Sequence, residues 1–189
     1  MNELMIEPTA KASWHRLVKE AEERLSCHLD EEKESYLVFL LMRYLTRADL
    51  ARTVLALRFL EAIGSQGRLR EDRLQNVGDQ CLLYAGLFPE QARRRRVRIG
   101  YFVDLGRSAY MGLAESGPAG TAALFSGLSE AFVTLMDLLR VMRQSGQQAL
   151  FSALEAAETW AETGSPLAFR ELQSHTGSLP MAGNPDTLQ

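Results

Sequence analysis

The chain has 189 residues, 46% of them hydrophobic and 24% charged, which suits one globular domain and excludes the disordered class. Its net charge is −3, and its longest apolar run, residues 36–42, is closed by Arg43 far short of the ~20 residues that a membrane span needs. The two cysteines, Cys27 and Cys81, stand far apart and outside any Cys-x-x-Cys pair, so they read as free thiols of a reducing compartment. Residues 1–8 are acidic and lack the apolar core of a secretory signal, and a cytoplasmic location without membrane attachment is expected.

The elements are expected to be all α, in one bundle of about seven helices. Residues 1–12 form a lead, 13–173 the helical domain and 174–189 a disordered tail. Over 13–27, Trp14, Leu17, Val18, Ala21 and Leu25 recur at spacings of three and four, which predicts the first helix. Asp30 has the form of an N-cap, with Glu31 and Glu32 in the first turn of a second helix that reaches about Leu45 and is apolar on every face. Thr46-Arg47-Ala48-Asp49 resembles a capping box and opens a third helix, which Gly64 and Gly67 end. Leu74, Val77, Cys81 and Tyr84 carry a fourth helix to Gly86.

A fifth helix, about 90–115, starts at Pro89 and is almost uncharged between Val97 and Leu113, which marks it as the central apolar element. Its Gly100, Gly106 and Gly112 each cost about 1 kcal/mol relative to Ala in a helix interior, so close approach of a neighbour is expected there. After Gly117 and Pro118, a sixth helix aligns Leu124, Leu128, Ala131, Leu135, Leu138 and Met142 in a heptad seam, with Phe125, Phe132 and Leu139 beside it. A turn at 144–147 leads to a seventh helix, and residues 163–166 are a stop signal. Residues 167–172 add at most one further turn.

Charge is uneven along the chain. Residues 1–42 carry −4, residues 43–107 carry +6 and residues 108–189 carry −5, and the basic middle contains arginine but no lysine. Arg93, Arg94, Arg95, Arg96 and Arg98 fall at the expected start of the fifth helix, where positive charge opposes the macrodipole. On one continuous helix Arg94 and Arg98 would share a face. The cluster is a candidate polyanion site, with Arg68, Arg70 and Arg73 as helpers; solvation, or pairing with the acidic first, sixth and seventh helices, is the plainer account. No helix-turn-helix or zinc-finger pattern accompanies it, so nucleic acid is not the favoured partner.

Asp104 and Arg107, three apart in the apolar helix, suggest a buried ion pair. With Tyr101, Ser108 and Tyr110 they form a candidate small-molecule pocket. The three histidines show no metal-ligand spacing, Cys81 sits on an apolar stripe, and neither a cofactor nor a metal is expected. Catalytic residues are not discernible. The surplus of apolar helix faces makes a non-enzymatic interaction or regulatory protein the first expectation, self-associating as a homodimer through Leu124, Leu128, Phe132, Leu135 and Leu139 or binding another protein. An Arg-cluster polyanion binder and a small-molecule binder or enzyme at Asp104 and Arg107 are the alternatives.

Overall fold

The computed structural model describes residues 6–45, 54–94, 96–143 and 151–176. These form ten helices and no strand: α1 (Ile6–Leu25), α2 (Glu31–Leu45), α3 (Leu55–Ile63), α4 (Gly67–Gly86), α5 (Pro89–Arg94), α6 (Ile99–Ser116), α7 (Ala119–Glu130), α8 (Phe132–Arg143), α9 (Ala153–Thr163) and α10 (Pro166–Thr176). No single described helix is long and apolar enough to cross a membrane.

Three local events raise the expected seven helices to ten. The fifth divides into α5 and α6, because Arg96 takes a left-handed backbone (φ 55°) that no helix continues through. The sixth bends by 68° between α7 and α8, so the heptad seam is not one straight stripe. The stop at residues 163–166 is also a start. Gly164 closes α9 in the left-handed conformation (φ 68°), and Ser165 Oγ then accepts the Ala168 N–H at 3.0 Å to cap α10, with Pro166 in its first position.

Other boundaries shift less. α1 begins at Ile6, so residues 6–12 belong to the first helix. The capping box at residues 46–49, the turn at 144–147 and most of the tail at 174–189 lie outside the described residues. Asp30 caps α2 as expected, its Oδ1 accepting the Lys33 N–H at 2.9 Å. Lys19 fastens α1 to α2, reaching buried Glu22 at 3.0 Å and buried Glu34 at 2.7 Å.

The centre of the bundle is α4 together with α6, not one apolar helix. α4 packs along α6 on one side and α8 on another, and every residue from Cys81 to Gly86 is buried. α6 is one-sided: Phe102, Val103, Ala109, Tyr110 and Leu113 are buried, whereas Tyr101, Asp104, Arg107 and Ser108 are exposed. α7 lies against α6, α1 packs on α2 and α8, and α9 with α10 forms a pair that touches α6. Gly106 shows why the costly glycines are there. A β-carbon at that position would lie 2.4 Å from the Phe132 ring and 2.9 Å from the Cys81 β-carbon.

α2 is less deeply placed than its apolar run suggests. Leu37, Val38, Leu40 and Leu41 are buried, but Phe39 is exposed and lies under the Lys11 ammonium.

Candidate anion-binding site

The corner between α5 and α6 is built by the chain's own hydrogen bonds. The Arg96 N–H donates to Arg93 O at 2.8 Å and the Val97 N–H to Ala92 O at 3.2 Å, closing α5 beneath the turn. This reverses one electrostatic expectation. Arg93 and Arg94 occupy the last turn of α5, where the helix dipole favours cations. Arg98 caps α6, where it does not.

The corner aims Arg93, Arg96 and Arg98 at a cavity of about 420 Å³ whose opposite wall is α9, with Glu155, Glu158 and Glu162. Arg140 of α8 completes the lining. α8 carries this arginine inward because its neighbours Met136, Leu138, Leu139 and Val141 belong to the core. Arg140 is only 4% exposed; its Nε donates to Ala85 O at 3.0 Å and its guanidinium lies 4.6 Å from the Phe151 ring centre. Its Nη2 is buried with no acceptor among the described residues. Burial drives the pKa of Arg140 down to about 10, so the side chain remains a cation at neutral pH.

Two of the other arginines are already paired. Arg93 meets Glu155 and stands 3.5 Å from Glu90. Arg98 Nε is 3.7 Å from Glu162 Oε1, while Glu162 Oε2 accepts the Gly100 N–H at 3.0 Å in the first turn of α6. Glu162 is thus an internal anion at a helix N-terminus. Glu155 is fixed by a capping box with Ser152, which starts α9 at Ala153. Arg96 has no ion-pair partner among the described residues, and neither has Glu158.

The expected arginine cluster is therefore partly assembled. Arg93, Arg96 and Arg98 share the cavity, Arg94 does not line it, and Arg95 lies outside the described residues. Because the helix breaks at Arg96, Arg94 and Arg98 belong to different helices and share no face. The proposed helpers do not join them. Arg73 donates to Ser65 Oγ at 2.7 Å and to Glu61 O at 3.3 Å at the end of α3, and Arg68 lines a separate cavity with Tyr36 and Gln75.

The candidate pocket at Tyr101, Asp104, Arg107, Ser108 and Tyr110 is not brought together. Asp104, Arg107 and Ser108 are exposed with no ion pair joining the first two, Tyr101 turns towards α3, and Tyr110 points into the core. The candidate self-association residues Leu128, Phe132, Leu135 and Leu139 are fully buried inside one chain, and Leu124 is half-buried. Their apolar surface is consumed by the domain's own core.

A buried acid does exist, at a position that helical periodicity alone passes over. Asp79 is fully buried on α4; it accepts hydrogen bonds from Tyr36 Oη at 2.5 Å and Tyr110 Oη at 2.8 Å and pairs with Arg43. Burial raises its pKa to about 6, against the pull of the two phenols and the guanidinium. Asp137 on α8 is comparable. It accepts the Ser165 hydroxyl at 2.7 Å and the Leu167 N–H at 3.3 Å, anchoring α10, and burial raises its pKa to about 6. Cys81 is fully buried and its thiol is pushed well up, which leaves it inert as a nucleophile. No group of three His, Cys, Asp or Glu among the described residues could hold a metal ion.

The fold defines an all-α protein with an arginine-lined cavity beside α9. No protein-family model, curated protein or solved structure matches the chain.

Proposed function

We propose that the chain is a binding protein for a small anion, received in the cavity between the α5–α6 corner and α9. The observation that carries this reading is Arg140, a buried guanidinium in the wall of that cavity whose Nη2 has no acceptor among the described residues. Asp137 and Glu90 offset part of its charge, but a buried guanidinium N–H without an acceptor is unfavourable, and a phosphate or carboxylate oxygen is the partner that relieves it best. Arg96 is a second cation at the same cavity, without an ion pair among the described residues. A recess of about 420 Å³ suits a small ligand better than the continuous face a nucleic-acid duplex requires.

The test is thermal unfolding at low salt with inorganic phosphate, pyrophosphate and sulfate, each paired with Arg96→Ala. Stabilisation of the parent that weakens in the variant is expected. If none of the three anions stabilises the parent, the reading fails. Salt-sensitive binding of DNA or RNA without any response to these ions would replace it with a nucleic-acid role.

A second reading, a self-associating interaction protein, is favoured by α3. Leu57, Leu60 and Ile63, with Val54 at its N-cap, are between 48% and 63% exposed, a large apolar share for so short a helix. Light scattering tests it: a dimer that becomes monomeric in Leu57→Glu/Leu60→Glu supports self-association through α3, and a monomer in the parent at about 100 μM removes it.

A further inference from the structure

Arg68, Glu71, Asp72 and Gln75 stand at offsets of three, four and seven along α4, so they share one face of that helix. They form one wall of a cavity of about 600 Å³, which shares no residue with the arginine-lined recess and falls in the size range of small-molecule sites. The facing wall is apolar: Leu113 near the end of α6, Leu124 and Phe125 of α7, and the ring of Tyr36 from α2. Tyr36 is held firmly. Its ring meets Phe125 edge-on with centres 5.9 Å apart, and its Oη donates to Asp79 at 2.5 Å and accepts from Gln75 Nε2 at 3.2 Å. Leu124 is the one candidate self-association residue that the core does not consume.

The charges of the polar wall are not matched within the chain. Arg68, Glu71 and Asp72 are neighbours on one helix face, yet none forms an ion pair among the described residues. Gln75 Oε1 likewise has no hydrogen-bond partner among them. We infer that this cavity is a second, independent site, which takes a free amino acid with a large apolar or aromatic side chain. Arg68 receives its carboxylate, Glu71 and Gln75 Oε1 receive its ammonium group, and its side chain lies on Leu124, Phe125 and Tyr36. A simple amine would add a like charge beside Arg68, and a simple carboxylic acid would add one beside Glu71 and Asp72. A wholly polar ligand would leave the apolar wall in water. A zwitterion with an apolar body meets all three surfaces. The link that closes the cavity carries both signs as well: α6 ends at Gly117 with its negative pole, and α7 begins at Ala119 with its positive pole.

The experiment is an NMR titration of the full chain with phenylalanine, alanine, phenethylamine and hydrocinnamate, each up to about 10 mM, which covers Kd values near 1 mM. Phenylalanine should bind at least about tenfold more tightly than alanine, the gain that burying much of a phenyl ring brings. It should also bind at least about threefold more tightly than phenethylamine or hydrocinnamate, each of which lacks one exposed ion contact. Arg68→Ala, at an exposed position, should weaken phenylalanine about threefold and leave phenethylamine no weaker. Glu71→Gln should weaken phenylalanine and phenethylamine by similar factors and leave hydrocinnamate no weaker. Inorganic phosphate, the probe of the arginine-lined cavity, should not compete with phenylalanine, so the two readings stand or fall separately.

Alanine binding as tightly as phenylalanine overturns the apolar contact. Phenethylamine or hydrocinnamate binding as tightly as phenylalanine overturns recognition of a zwitterion and reassigns the cavity to a simple cation or anion. Resonance shifts confined to residues away from α4 and α7 overturn the location. Binding by none of the four probes overturns the proposal outright, and the anion reading keeps its own test.

Discussion

Glu162 on α9 holds the first turn of α6 through Gly100, its Oε2 accepting the Gly100 N–H at 3.0 Å. The approach depends on the missing side chain, because a β-carbon on Gly100 would sit 3.1 Å from the Glu162 β-carbon and 3.2 Å from Oε2. The same carboxylate lies 3.7 Å from Arg98, so an incoming anion competes with it for the helix terminus and for a cation. Glu162→Gln keeps the shape and removes the charge. It should tighten pyrophosphate binding about three- to tenfold and lower stability by about 0.3–1 kcal/mol, the usual value of an acid at a helix N-terminus. Titration calorimetry and a urea melt read the two effects separately. Unchanged or weaker binding would show that Glu162 does not compete.

Arg140 is predicted to matter for binding more than for folding. Arg140→Met loses the hydrogen bond to Ala85 O, the contact with Phe151 and the attraction of buried Asp137, but it also removes a buried charge whose Nη2 has no acceptor among the described residues. These terms oppose one another, so the net change in stability should stay below about 2 kcal/mol. Stabilisation by pyrophosphate should disappear. Unfolding in urea with and without pyrophosphate measures both; a variant still stabilised to the parental extent would move the ligand away from Arg140.

Asp79 gives the protein a pH dependence whose sign is fixed by burial. Its folded pKa is about 6 and its ordinary value 3.8, so between these pH values the folded state binds more protons than the unfolded one. Its contribution is therefore fully present below pH 3.8 and is lost as pH rises through 6. Asp79→Asn removes the titration. The stability of the parent relative to this variant should be greater at pH 4.5 than at pH 7.5, by about 1–3 kcal/mol. Denaturant unfolding at the two pH values measures the difference. The opposite sign would mean that the hydrogen bonds donated by Tyr36 and Tyr110 and the charge of Arg43 outweigh desolvation.

Several boundaries were legible because each has a local chemical signature. Asp30 caps α2, Gly64 and Gly86 fall at helix ends, and Gly164 takes the left-handed turn that stops α9. The breaks at Arg96 and Ala131 carry no glycine or proline. Neither position therefore shows a stop signal in the sequence. Ser165 and Pro166 illustrate ambiguity: the pair that ends one helix also starts the next. At the site, Arg93, Arg96 and Arg98 stand out as a run, whereas Arg140 and Glu162 come from helices more than forty residues later in the chain. The one signal available for Arg140 and Asp79 is a charge inside a largely apolar stretch, at 138–142 and within 77–84.

Gly106 and Phe132 test the packing of α6 against the start of α8. A methyl group on Gly106 would lie 2.4 Å from two atoms of the Phe132 ring, and the Cys81 β-carbon at 2.9 Å leaves the helix no room to retreat. Gly106→Ala should therefore cost about 2 kcal/mol or more through overpacking, despite the better helix propensity of alanine. Phe132→Leu alone should also destabilise, because a fully buried ring is replaced by a smaller group. Together the two changes should cost at least about 1 kcal/mol less than the sum of the singles, since the shorter side chain vacates the space the new methyl needs. A double-mutant cycle by denaturant unfolding measures this coupling, and strict additivity would mean that the strain at Gly106 is taken up elsewhere in the helix.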